Sequence, residues 1–457
     1  MIQRTYSRIL LYSFLGALLL GAFWLHHAMI PKNIVEEWET LPGREEVVVL
    51  QEYVRIDTSW PKSNTREAVA FWKRLFDAIG IESSTYQVGP DQFNFVAKIP
   101  GGPLPPLILH HHMDVSPVKN LKNWKNPPFG GVIEGPYLWG RGTLDMKHYG
   151  VIYYFAIREA LEKGWKLRRP IYFIATPTEE MEMVRGTPWL LENKPELFPE
   201  GAVFLTEGGG FEVVTDFLKY CGILTYQKEW VFVELGEIDA DRIAEITSAL
   251  LPLFPRDDLV LFPGYELILN HLAPHRIAYR DILENVGKLY RDDQEKLKEL
   301  PEPYLDLMRR SFSIHQRMGP DKTRLVLSLL PGDEPEEWID RVGKVLSSMR
   351  QSYSISFASP KLNITPSNTD AFRSIQDSIL EVFPAIDTGP YATPWKMNEG
   401  QYLRKPGYLS YGIAFVPINI FDMTHAGAAD ERIHLVHYMK GMDLGKAIVK
   451  HLAGDAD

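Results

Sequence analysis

The chain has 457 residues, with 49 Lys and Arg against 59 Asp and Glu, a formal net charge of −10, and 45% apolar with 12% aromatic content. That length carries a prior of two or three domains with sizeable cores, and the acidic balance argues against nucleic acid as a partner. The single Cys221 cannot form an intrachain disulfide, so it says nothing about redox compartment and reads as a buried apolar residue.

At the N-terminus, Arg4 and Arg8 precede an uncharged apolar run over residues 9–25 that extends to Ile30. With that extension it approaches the roughly 20 residues that span a bilayer, and no A-x-A cleavage site follows. The reading is a signal anchor, a transmembrane helix over residues 1–30, with a cleaved signal peptide as the alternative. Two arginines before the run against Lys32 immediately after it predict a cytoplasmic N-terminus. The catalytic body would then be extracytoplasmic: periplasmic, luminal or extracellular.

Residues 64–80 predict an amphipathic helix. Asn64 and Glu67 read as a capping pair, Val69, Trp72, Phe76 and Ile79 form one core-facing stripe, and Gly80 ends it. Residues 107–109 read as a buried strand, and His112 and Asp114 sit just past its carboxyl end, where open α/β folds place their chemistry. Alternation turns His111 to the opposite face and no partner motif claims His110, so both read as structural. Residues 148–163 predict a helix apolar nearly all round to Ile157, whose first half should lie buried beneath the site.

A second strand over 169–176 closes in Pro177-Thr178-Glu179-Glu180, and a third over 202–206 stops at Glu207-Gly208-Gly209-Gly210. Adjacent carboxylates on extended backbone point in opposite directions, so one can face a metal and the other its bound water. Taken singly, a His-x-Asp is an ordinary strand end, a Glu-Glu pair a solvated turn and Glu207 a loop cap. Together with His425 in Asp422-Met423-Thr424-His425-Ala426-Gly427 they make a metal site the stronger reading. Imidazole and carboxylate suit zinc or a similar divalent ion. Beyond Glu207, residues 223–235, 239–253, 324–330, 335–349 and 353–357 predict strand, helix, strand, helix, strand. They surround a charged insertion, read as helical, over about 280–317.

The order His112-x-Asp114, Trp124 with Pro128-Phe129, Gly140-Arg141-Gly142-x-x-Asp145-Met146-Lys147, Glu179-Glu180, Glu207-Gly208-Gly209 and His425-x-Gly427 resembles a known family. It is the di-zinc metallopeptidases and amidohydrolases of the aminoacylase, carboxypeptidase G, Gly-Xaa carboxypeptidase and succinyl-diaminopimelate desuccinylase type. The likeness is strongest over 107–210 and returns over 415–435. It implies an α/β, zinc-exopeptidase-like catalytic domain in two parts, 31–218 and 359–457, with an inserted α/β lid at 219–358 whose sheet edge could pair a homodimer. It also implies His112 and Glu207 on one metal, Glu180 and His425 on the other, and Asp145 bridging both. Glu179 takes the place of the general base and Asp114 that of the carboxylate orienting His112. Two zinc ions, or cobalt or manganese, about 3.5–4 Å apart would share a bridging water, whose proton Glu179 would pass to the leaving nitrogen. The substrate class implied is a small peptide or an N-acyl amino acid.

The lid is where the resemblance weakens. The family's usual lid His, in a Gly-x-x-x-His-Ser segment, is absent from Leu235-Gly236-Glu237-Ile238-Asp239, and no Asn-x-x-Pro is evident near Met318-Gly319-Pro320. The Gly-Thr-Asp-x-Arg segment that often grips a substrate carboxylate is replaced by Trp395-Lys396-Met397-Asn398-Glu399-Gly400-Gln401. His271 and His275 are candidates to replace the lid His, against an ordinary role as surface or packed histidines. Two further readings stand beside the hydrolase: a metal-retaining binding or scaffold protein with little turnover, and a membrane-tethered structural domain, which would leave the ligand set unexplained.

Overall fold

The structure, a computed structural model, describes residues 38–180, 183–214, 217–316, 323–360, 364–393, 397–418 and 420–454. The anchor expected over residues 1–30 lies outside them, and among the described residues no helix is long and apolar enough to cross a membrane.

In chain order the strands are β1 (Ser83–Gln87), β2 (Phe93–Ile99), β3 (Leu107–His112), β4 (Val132–Glu134), β5 (Tyr137–Trp139), β6 (Ile171–Thr176), β7 (Val203–Thr206), β8 (Gly210–Val214), β9 (Phe217–Gln227), β10 (Glu229–Gly236), β11 (Ser311–Gln316), β12 (Thr323–Leu329), β13 (Ser354–Ala358), β14 (Asp387–Thr393), β15 (Leu409–Gly412) and β16 (Arg432–His434). Nine form one mixed sheet in the order β1-β2-β6-β3-β7-β15-β9-β14, with β8 paired to β9. At its centre β3 runs parallel to both β6 and β7, and β15 parallel to β7. A parallel centre is covered on both faces, and every residue of β3 is buried. Leu107 and Leu109 enter the main core, which includes Trp72, Ile152 and Tyr438 from helices Arg66–Ala78, Lys147–Glu162 and Leu435–Ala453. Ile108 enters a second layer with Ile174, Phe204 and Leu190.

The helix predicted at 64–80 is Arg66–Ala78, with Val69, Trp72 and Phe76 buried and Gly80 at φ +71°. Thr65, rather than Asn64, is its N-cap, and Asn64 Oδ1 instead accepts from Arg66 N at 3.1 Å, a local turn that competes with the capping pair. The helix Lys147–Glu162 is buried from Lys147 to Ile157, as its apolar pattern requires.

The strand expected over 223–235 is two strands. β9 belongs to the catalytic sheet, parallel to β14, and β10 to a four-stranded antiparallel lid sheet ordered β11-β12-β10-β13. Lys228 is the one residue between them. Gln227-Lys228-Glu229 break the apolar pattern at this point, but all three are buried and the backbone on either side is strand, so a polar triplet alone does not say that the chain changes sheets there. Helices Ala240–Leu250 and Pro335–Ser348 cover one lid face, packing Ile246, Trp338 and Leu346 on Val231, Leu325 and Leu327. The insertion differs in extent from expectation. Its helices begin at Pro263–Leu272, where Tyr265, Ile268, Leu269 and Leu272 recur at helical spacing and bury against Tyr220 and Tyr226. Its supposed end, Ser311–Gln316, is the lid edge strand β11, where Ser311-Phe312-Ser313-Ile314 alternates with strand period.

Candidate metal centre

The carboxyl ends of β3, β6 and β7 bring His112, Glu179, Glu180 and Glu207 to one place, and the turn after β5 adds Asp145. His112 Nε2 lies 3.3 Å from Asp145 Oδ1, 3.8 Å from Glu179 Oε2 and 3.9 Å from Glu207 Oε1. Ligand-type atoms of His112, Asp145 and Glu180 lie within 4.8 Å of one another, and so do those of His112, Glu179 and Glu207.

Each side chain is held from behind. His112 Nδ1 sits 2.8 Å from the Asp114 carbonyl oxygen and 3.5 Å from its carboxylate. The Asp114 carboxylate instead accepts the backbone N–H groups of Glu179 and Glu180, each at 3.0 Å, which fixes the turn that carries both glutamates. Ser116 Oγ donates to Glu180 Oε2 at 2.6 Å. Gly208, at φ +112°, lets the chain turn after Glu207; a Cβ there would meet Asn398 Nδ2 and Leu224 Cδ2, each at 2.6 Å. Asn398 Nδ2 in turn donates to the Glu207 carbonyl at 2.8 Å.

Two supports were not singled out from sequence. Fully buried Glu431 accepts from the backbone N–H of Gly142, Leu144 and Asp145 at 3.1, 2.8 and 3.2 Å, and from Arg141 Nη1 at 2.6 Å, so it holds the loop that presents Asp145. His110 lies beneath the site with Nε2 2.5 Å from Glu399 Oε2 and Nδ1 2.8 Å from Thr206 Oγ1. His111 faces the other way, 3.2 Å from the Tyr53 hydroxyl. The signal for Glu431 was its place in the same closing segment as His425, and Glu399 lies inside the atypical 395–401 stretch.

His425 is not in either cluster. Its Nδ1 bonds the Ala429 carbonyl at 2.8 Å, while the same turn runs past Ser116, whose Oγ lies 3.3 Å from the Cβ position of Gly427. His271 and His275 lie against Asp387 at the start of β14, at 3.9 and 3.1 Å. Neither lines the cavity above the metal centre. His315 of β11 does line it, and strand alternation gave no sign of that.

The electrostatics call for a cation. Burial and the surrounding carboxylates push Glu179 well above the usual range and Glu180 up to about 8. Burial opposes charge on His112, but Asp114, Asp145 and Glu179 nonetheless hold it well above the ordinary imidazole value. His112 Nε2 and Glu180 Oε1 are buried with no hydrogen-bond partner, which buried polar atoms rarely tolerate. One imidazole among four carboxylates is a hard-to-borderline donor set, and it fits divalent ions of the zinc type. Above it opens a cavity of about 470 Å³, roofed by the lid residues Trp230, Phe232, Phe312 and Val326.

A mixed α/β sheet with an imidazole and four carboxylates clustered at its strand ends under a lid is an arrangement suited to a metal-dependent hydrolase. Residues 108–451 match the description of peptidase family M20/M25/M40, and the chain belongs to that family. It is similar to a probable carboxypeptidase S-like 2 of Dictyostelium discoideum, 24% identical over 404 residues, covering 76% of this chain and 72% of that one. It is also similar to human aminoacylase-1, 30% identical over 177 residues, covering 37% of this chain and 43% of that one. The M20 family metallo-carboxypeptidase Sso-CP2 from Sulfolobus solfataricus shares the fold, with TM-score 0.67 at 18% identity over 89% of this chain and 99% of that one.

Proposed function

We propose that the protein hydrolyses an amide bond of a small peptide or N-acyl amino acid using two divalent ions, zinc in the first instance. The observation that carries this reading is the convergence of Asp145, Glu179, Glu180 and Glu207 on the buried imidazole of His112, whose Nε2 has Asp145, Glu179 and Glu207 oxygens within 3.9 Å. His112 and Glu207 would hold one ion, Glu180 the other with His425 from the adjacent turn, and Asp145 both. When bound, the ions polarise the scissile carbonyl and lower the pKa of water. Glu179 is then the group that takes the proton from water and delivers it to the leaving nitrogen, and Asp114 keeps Glu179 and Glu180 in register through their backbone N–H groups. The lid excludes water and confines the substrate against the carboxylate floor. The Arg4- and Arg8-flanked apolar run would tether this body to a membrane outside the cytoplasm, which carbonate extraction of the full-length chain tests.

The test of the chemistry separates ligand from base. Glu179→Gln should retain two metal equivalents and lose roughly 10²–10⁴ in turnover of N-acyl amino acids and dipeptides. Glu180→Gln should lose metal. Absence of metal after incubation with zinc would overturn the reading, and full metal content with no turnover across such a panel would favour a binding protein of this fold.

A further inference from the structure

A second group of metal-type side chains stands apart from the centre already described. His271 and His275 do not line the cavity; they meet Asp387 instead. His271 lies in the last turn of helix Pro263–Leu272, and His275 ends the short 3-10 turn that continues it. Histidines four positions apart on a helix share one face, the spacing by which two imidazoles chelate zinc. Asp387 opens β14, an edge strand of the nine-stranded sheet. Its Oδ1 accepts from the Thr388 N–H at 2.8 Å, and its Oδ2 is left to the imidazoles, 3.1 Å from His275 Nε2 and 3.9 Å from His271 Nε2. The second separation is too long for a hydrogen bond, and His271 Nε2 is buried with no hydrogen-bond partner. The space around that nitrogen exists because residue 389 is glycine: a Cβ there would collide with His271 Nε2. Tyr220 packs against both rings, with centroids 5.7 and 5.4 Å away, but its hydroxyl donates to the Pro390 carbonyl at 2.8 Å and so leaves the histidine unmatched.

We propose that His271, His275 and Asp387 form a separate divalent-metal site, of the zinc class, that fastens the helical insertion to the edge of the catalytic sheet. Two imidazoles and one carboxylate make a three-ligand zinc set that water completes, whereas magnesium and calcium take oxygen ligands. Atoms that share a tetrahedral zinc at about 2.0–2.1 Å stand roughly 3.3 Å apart, and the distances of 3.1 and 3.9 Å to one carboxylate oxygen bracket that spacing. The two imidazole nitrogens lie farther from each other than from that oxygen, so one ring turns to close the set. The side chains of His271 and Asp387 are 34% and 51% exposed, which leaves room for that turn and a path for the ion. Hydrogen bonding alone leaves His271 Nε2 unmatched, a state that buried polar atoms seldom tolerate; an ion engages all three side chains at once. The insertion runs on into β11, whose Ser313 and His315 line the cavity, so an ion held here would steady one wall of the principal site without touching its ligands.

The test counts ions and holds whether or not the principal centre turns over a substrate. Full-length protein is titrated with zinc against a chelating dye. Wild type should take up one equivalent more than His275→Gln, and the variant should keep the ions of the principal centre and any turnover the parent shows. If His275→Gln fails to fold, Asp387→Asn, at a more exposed position, asks the same question. In Asp145→Ala protein, whose principal centre is disabled, one equivalent should remain, and zinc should raise the thermal midpoint; adding His275→Gln should remove both effects. Copper(II) placed in that remaining site should show electron-spin-echo modulation from two imidazoles, a signature that a packing role would not give. Equal zinc uptake by wild type and variant, or a copper spectrum with fewer than two imidazoles, would overturn the proposal.

Discussion

Replacing Glu431 by Gln should damage the metal centre from behind without touching a ligand. The carboxylate takes three backbone N–H groups on Oε1 and the Arg141 guanidinium on Oε2, with every partner buried or nearly so. Burial raises the Glu431 pKa and Arg141 lowers it, so the charge itself is costly and the pairing compensates. Gln keeps the shape but can satisfy only one side. If its oxygen faces the three N–H groups, its NH₂ meets Arg141 donor to donor. Hydrogen bonds to a charged acceptor contribute about 1.5–3 kcal/mol each, and stranding one partner of a buried pair costs about 3–5 kcal/mol. Relief of the carboxylate's own desolvation keeps the net loss near the latter range and not at the sum. Urea unfolding of the metal-free protein should therefore show about 3–5 kcal/mol less stability. Competition with a chelating dye should show zinc affinity lower by about 10–100-fold, the usual effect of losing a support behind the ligands. Destabilisation under about 1 kcal/mol with zinc affinity unchanged would refute the claim that Glu431 holds the Asp145 loop.

Other consequences follow from the same geometry. Asp114→Asn leaves one of the Glu179 and Glu180 amides without its carboxylate acceptor, so metal affinity should fall by about 10–100-fold with the fold intact by circular dichroism; unchanged affinity would show that the turn holds itself. Gly208→Ala places a methyl at φ +112° and 2.6 Å from Asn398 and Leu224, which should cost upward of about 1–3 kcal/mol in urea unfolding and weaken metal binding, whereas wild-type stability would contradict the turn's steric limit. Burial holds His434 down at about 4, so below about pH 6.5 the unfolded chain takes up a proton that the folded chain refuses. Stability is then full above about 6.5 and declines by up to about 3 kcal/mol towards pH 4. His434→Gln should flatten this fall relative to the parent, and parallel curves would remove His434 as its source.

The cluster of His112, Glu179, Glu180 and Glu207 was legible because these side chains follow the ends of three apolar runs, whereas His425, expected from the same pattern, stands outside both groups of ligand-type atoms. Glu179, Glu180 and Glu207 needed only the end of a strand to be recognised. The lid crossing reads through as one strand although the polar triplet Gln227-Lys228-Glu229 interrupts the apolar pattern, because a short polar break between two strand-like runs does not by itself distinguish a change of sheet from a bulge. Lys228 is a surface residue by composition and a buried one only through the carbonyl oxygens of Asp306 and Arg309, about eighty positions away. Asp114 shows a different limit. Its proximity to His112 was readable, but which of its oxygens faces the imidazole and which the glutamate amides is decided in three dimensions. His110 read as structural because its partner, Glu399, arrives from |i−j| = 289.

The order of the strands also governs when the molecule can become itself. β15 inserts between β7 and β9, and Glu431 braces a loop laid down 286 or more positions earlier. On a ribosome the first half of the chain therefore emerges with a gap in its central sheet and an unbraced Asp145, while the four-stranded lid sheet is complete by β13 and the helical insertion beside it still awaits Ala392 of β14. Domains form roughly in the order of synthesis, and long-range pairings close last. The lid sheet should thus be finished before the domain it covers, and a nascent chain ending before β15 would carry His112 and the carboxylates in sequence without the central strand or the Glu431 brace that positions them.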